Sequence, residues 1–94
     1  MIRSFRNKAL ERYWWKGEIR RIDSKHVGKL EERLARLEAA VVPGDLNLPG
    51  YRFHSLTGEQ AGRFSVRVDK NWRLTFGWAE AGPDAIDVDY EDYH

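Results

Sequence analysis

The sequence predicts an α+β fold, with two N-terminal helices packed on one face of a small, mainly antiparallel sheet. Apolar residues recur at three- and four-residue steps as far as Val41, then at two-residue steps from Tyr51 onward. Helical and extended segments are therefore segregated along the chain, which argues against the alternating βαβ order of a parallel sheet. The 94 residues leave room for one core, so residues 1–94 read as a single domain.

Ile2-Arg3-Ser4-Phe5 alternates and reads as a short first strand. Phe5, Ala9, Leu10, Tyr13 and Trp14 then share one helical face, and Gly17 is a natural stop. In the second helix Val27, Leu30, Leu34, Leu37 and Val41 form the apolar stripe, with Asp23 or Ser24 as its N-cap and Pro43-Gly44 as its end. Its outer face, Lys29, Glu32, Arg33 and Arg36, is expected to be solvated, and His26 to lie at the surface. Trp15, off the apolar face, is the exposed member of the aromatic run and a candidate for partner contact.

Arg63–Val68, Trp72–Trp78 and Ile86–Tyr90 each alternate cleanly, with turns at 58–62 and 79–84. Phe64, Val66 and Val68 must share the core face with Trp72, Leu74 and Phe76, since a one-residue slip would expose the whole set. The parity requires an odd connection, most simply Asp69-Lys70-Asn71, which places Arg67 opposite Arg73 on the other, open face. Two opposed arginines repel unless an anion lies beside them. Asp87 and Asp89 have the matching parity, so the sequence leaves two readings: an Arg73–Asp89 ion pair, or an anion site.

The chain has no cysteine, which excludes disulfides, thiolate chemistry and Cys-based zinc sites. The first twelve residues lack an apolar leader core, and no run approaches the length of a membrane span. A soluble, cytoplasmic protein is expected. Net charge is +1, but residues 1–47 carry eleven Lys/Arg against seven Asp/Glu, and residues 48–94 carry five against eight. The overall balance does not signal nucleic-acid binding, so any basic patch must be assembled locally by folding.

His54, Arg67, Arg73, Asp92, Tyr93 and His94 are the chemistry-bearing residues of the open face and its rim. There is no nucleophile elbow, phosphate-binding glycine loop or His-Glu-x-x-His. The acids of 87–92 sit on an exposed strand and read as solvated, so neither metal nor cofactor is expected. Arginine, histidine and tyrosine together suit cleavage of RNA by its own 2′-hydroxyl. That reaction needs a proton acceptor, a cation for the phosphate and an acid for the leaving 5′-oxygen. Taken singly, His54 reads as an ordinary strand histidine and Tyr93 as packing.

Three blocks, in order, carry a resemblance: Leu48-Pro49-Gly50-Tyr51-Arg52-Phe53-His54-Ser55-Leu56-Thr57-Gly58, then Asn71-Trp72-Arg73-Leu74-Thr75-Phe76, then Asp87-Val88-Asp89-Tyr90-Glu91-Asp92-Tyr93-His94. They resemble L-P-G-x-x-x-H-x-L-K-G, N-W-R-[IL]-T-F and D-V-D-Y-x-D-Y-H of the HigB toxins in the RelE superfamily, over essentially the whole chain. The resemblance implies a RelE-like fold and a type II toxin–antitoxin role: a ribosome-dependent endoribonuclease that cleaves translated mRNA in the A site. It also implies a cognate helix-turn-helix antitoxin, with DNA reached only through that partner. The family's active surface carries over to His54, Arg73, Asp92, Tyr93 and His94, with Asn71 in support. Within it, Arg73 is expected to hold the phosphate, His94 to be the principal acid or base, Tyr93 to stack on or bond the nucleotide and His54 to position it.

The family lysine is Thr57 here, which can supply neither a cation nor a proton near neutrality. Arg67 is the expected replacement. The same substitution keeps open a catalytically weak toxin-fold protein that acts as regulatory partner of its antitoxin on promoter DNA. A generic RNA-binding α/β domain is disfavoured, because no lysine-rich loop or exposed aromatic pair marks the strands.

Overall fold

The computed structural model describes residues 1–79 and 81–93. Helix α1 (Lys8–Lys16) starts at Asn7, whose side chain accepts the Leu10 N–H, and ends at Gly17. Gly17 is left-handed at φ 72°, and its N–H closes the last turn on the Tyr13 carbonyl. Helix α2 (Val27–Ala39) follows, then a 3₁₀ turn at Pro43–Leu46. Four strands complete the chain: β1 (His54–Ser55), β2 (Arg63–Arg67), β3 (Trp72–Ala79) and β4 (Asp84–Asp92). They pair antiparallel in sequence order. No helix among the described residues is long and apolar enough to cross a membrane.

The core lies between the helices and one sheet face. Leu10, Leu30, Leu34 and Leu37 are fully buried together with Val66, Leu74, Phe76 and Val88. Each such side chain contributes roughly 1.5–3 kcal/mol of transfer free energy. The expected register of the central hairpin is observed: Phe64 pairs with Phe76, Val66 with Leu74 and Arg67 with Arg73. The Val68 N–H donates to the Trp72 carbonyl across the three-residue connection. Trp15 is exposed, as its position off the apolar face implies.

Elsewhere the structure corrects the sequence reading. Residues 2–5 add two parallel bridges to β4, Ile2 with Ala85 and Phe5 with Val88, rather than a continuous strand. Neither Asp23 nor Ser24 caps α2, which begins after His26. The Asp23 carboxylate caps the preceding turn instead, accepting the Lys25 N–H at 3.0 Å. Val41 leaves the helix and is 65% exposed. The Asp45 carboxylate accepts the N–H groups of Val41 and Val42, and Pro43 holds Val42 extended.

His26, expected at the surface, is 2% exposed. Its Nε2–H donates to Asp69 at 2.9 Å, and its Nδ1 accepts the Tyr90 hydroxyl. Trp72 and Tyr90 pack their rings on it. The Lys70 N–H and then His26 hold the Asp69 carboxyl below the usual range. Arg33 is likewise buried rather than solvated. Its Nε donates to the Arg67 carbonyl at 2.7 Å, and its guanidinium lies 4.2 Å from the centre of the Tyr51 ring. The charge is thus hydrogen-bonded and stacked rather than stranded.

One further difference reshapes the sheet. Thr75 pairs with Asp89 but Gly77 pairs with Ile86, so β4 carries one extra residue opposite Phe76. Asp87 absorbs it at φ 50°. The bulge puts Ala85, not Ile86, on the core face beneath Trp78 and turns Ile86 to the Gly77 side. Side-chain volume explains the choice. A Cβ on Gly77 would lie 3.3 Å from Ile86 Cγ1, so glycine makes room for isoleucine while alanine makes room for tryptophan.

Candidate active site

The open face is built by strand parity alone. His54 pairs with Ser65, Ser65 with Thr75 and Thr75 with Asp89, forming one row across the sheet. A second row runs Arg67, Arg73, Glu91, and Arg63 flanks the first row opposite Gly77. Directly opposed side chains in such rows sit about 4.5–5.5 Å apart at Cβ. His54, Arg67 and Arg73, singled out from sequence, therefore share one surface with Arg63, Ser65, Thr75 and Glu91, which sequence reasoning did not single out. The signal for those four was present: the parity that puts Arg67 and Arg73 on this face puts them there too, although Arg63, Ser65 and Thr75 are buried within it.

The described residues contain three buried side-chain polar atoms without a hydrogen-bond partner, and all lie on this face: Arg63 Nε, Ser65 Oγ and Arg73 Nη1. Leaving a buried donor unpaired costs about 1–3 kcal/mol, more for a charged group, so their concentration on one face sets this surface apart. The Arg73–Asp89 ion pair is absent from the described residues; Asp89 Oδ1 instead accepts the Tyr90 N–H at 2.9 Å. Of the two sequence readings, the ion pair is therefore not the one that forms here.

Arg63 is nearly buried, with Nη2 donating to Thr75 Oγ1 at 3.1 Å and to the Asp87 carbonyl at 2.8 Å. Burial and then Arg6 lower its pKa, while Glu91, Asp89 and Asp87 oppose the shift. It stays cationic at neutrality. His54 is exposed, and its Nδ1–H donates to the Arg52 carbonyl at 2.9 Å, which leaves Nε2 as the free acceptor.

The Tyr93 backbone N–H donates to the Asn71 carbonyl. Burial and then Glu91 push the Tyr93 phenol up, against the pull of Arg73 and Arg63, so it is a protonated donor near neutrality. Asp92 pairs with Trp72, on the opposite parity to Arg73. It helps raise the Tyr90 phenol, consistent with a place on the helix side of the sheet. Thr57 follows the last β1 pairing, is exposed and extended at φ −123°, and its side chain makes no capping bond. His94 lies outside the described residues.

A bidentate cation, a histidine with a free ring nitrogen and a phenolic donor on one shallow surface can bind a phosphodiester and move protons beside it. The comparisons with known proteins agree in family. The family described as HigB-like toxin, RelE-like toxin of type II toxin–antitoxin system HigB, matches residues 3–94. Endoribonuclease HigB of Proteus vulgaris is 36% identical over 94 residues, covering 100% of both chains. Toxin HigB-1 of Vibrio cholerae serotype O1 is 37% identical over 82 residues, covering 85% of this chain and 86% of that one. The YoeB-YefM complex from Staphylococcus aureus contains a chain that superposes with a TM-score of 0.59 at 17% identity, covering 100% of this chain and 98% of that one, which is a likeness of fold. By that full-length match and by its fold, the chain belongs to the RelE-like HigB toxin family of type II toxin–antitoxin systems.

Proposed function

We propose that this toxin, a single domain over residues 1–94, is an endoribonuclease that cleaves mRNA on the translating ribosome. The reading rests chiefly on one observation: the unpartnered buried donors of Arg63, Ser65 and Arg73 cluster on one face. Such donors, fixed before substrate arrives, stabilise charge growing on a phosphate without reorganising. In the reaction the 2′-hydroxyl of one nucleotide loses its proton and attacks the adjacent phosphorus. The 5′-oxygen of the next nucleotide leaves and takes a proton, and a 2′,3′-cyclic phosphate remains.

Arg73 grips the non-bridging oxygens, and Arg67 opposite it adds charge where the family lysine is replaced by Thr57. His94 serves as principal acid or base, and Tyr93 donates to or stacks on the nucleotide. His54, with Nε2 free, orients the substrate, and Asn71 holds Tyr93 through its carbonyl. Asp92, at the strand end before Tyr93, belongs to the family motif but takes the opposite parity to Arg73, so it is given no direct part at the phosphate. The protein acts in the cytoplasm, in the ribosomal A site, and is silenced by a helix-turn-helix antitoxin through which it reaches DNA.

Expression without the antitoxin should arrest growth, and purified protein should cut mRNA on programmed ribosomes while cutting naked RNA poorly. The ribosome supplies the positioning that a nearly neutral protein lacks. Arg73→Ala should lower single-turnover cleavage by roughly 10²–10³-fold. Efficient cleavage of naked RNA would make the protein an ordinary ribonuclease, and no cleavage of either substrate would favour the regulatory role.

A further inference from the structure

Glu91 stands directly across the β3–β4 ladder from Arg73, where opposite charges ordinarily pair. Among the described residues no such ion pair forms. The Glu91 carboxylate turns aside and accepts the hydroxyl proton of Thr75, two residues along β3. Thr75 can give that proton outward because its oxygen already accepts from Arg63 Nη2. The same Nη2 is anchored on the carbonyl of Asp87, the residue that takes the bulge. Thr75 is fully buried, so the arrangement is shielded from competing water.

A carboxylate and a phosphate compete for the same guanidinium fork. A bidentate Glu91–Arg73 pair would satisfy the Arg73 nitrogen that now has no partner, and would cancel the charge the substrate needs. We infer that Thr75, oriented by Arg63, is a positioning residue that holds Glu91 away from Arg73 and so preserves Arg73 as the phosphate receptor. The inference rests on the reading of Arg73 as the phosphate-binding cation.

Single-turnover cleavage of mRNA on programmed ribosomes tests it. Thr75→Val keeps side-chain shape and removes the hydroxyl, and should cleave roughly tenfold slower as Glu91 falls onto Arg73. Adding Glu91→Gln removes the competing charge, and the double variant should come within about threefold of Glu91→Gln alone. A purely structural role for Thr75 would not be relieved by a change at Glu91. Cleavage by Thr75→Val at the parent rate would overturn the inference, as would a double variant no faster than Thr75→Val.

Arg73→Ala, measured alongside, separates the two layers. Full activity in that variant removes the phosphate-receptor reading itself; loss there with normal Thr75→Val removes only the positioning role. Should Thr75→Val fail to fold by circular dichroism, Thr75→Ser and Thr75→Ala carry the same comparison. Serine retains the hydroxyl and should stay near the parent rate. Alanine should be slow and recover with Glu91→Gln; equal rates for the two would overturn the inference.

Discussion

A buried imidazole must satisfy two nitrogens, and His26 does so with Asp69 on one side and Tyr90 on the other. Replacing Tyr90 by phenylalanine leaves Nδ1 buried and alone, at a cost of about 1–3 kcal/mol in urea denaturation. The same phenol is pushed up to about 12 from 10.0, by burial first and then by Asp23 and Asp69. A raised pKa favours the folded state while the proton is held, so this contribution is complete below pH 10 and fades as pH climbs through about 12. Tyr90→Phe should flatten the fall in stability over that window, as pH-dependent urea midpoints would show. None of this was legible around Ser24, Lys25 and His26, because the partners lie 43 and 64 residues away in sequence. Arg33 escaped for a similar reason: its acceptor, the Arg67 carbonyl, is 34 residues distant.

Two glycines separate backbone need from tolerance at the level of the helix. Gly17 ends α1 at φ 72° with open space around its Cβ position, so Gly17→Ala meets only the left-handed penalty and should destabilise by about 1 kcal/mol. Gly28 sits inside α2 with an ordinary φ and equally open space, so Gly28→Ala should stabilise by roughly 0.4–1 kcal/mol. Thermal unfolding of the two variants should show shifts of opposite sign. The Gly17 stop was readable from sequence, as was the β2–β3 register, because both follow from local pattern. The β4 bulge was not, since it depends on how Trp78 and Ile86 divide the space beside Ala85 and Gly77 across two strands.

Across the whole molecule the sheet divides labour between its faces, with the helices and apolar core on one side and the arginine-rich surface on the other. Strand parity exposed His54, Arg67 and Arg73 in the sequence. Arg63, Thr75 and Glu91 matter as a hydrogen-bonded set rather than as a motif, and Ser65 as a buried hydroxyl without a partner, so none was singled out as a site residue. Asp92, grouped with Arg73 and Tyr93 by the family motifs, takes the opposite parity to Arg73. The parallel bridges of Ile2 with Ala85 and Phe5 with Val88 tie the start of the chain to the strand synthesised last of the four. Ile2, buried at 1% exposure, has no sheet partner until β4 exists. A chain ending at Pro83 should therefore lose its cooperative urea transition. During translation the same dependence acts as a timer. Glu91 and Tyr93 arrive with or just after β4, so the arginine-rich face is complete only once that strand has been made.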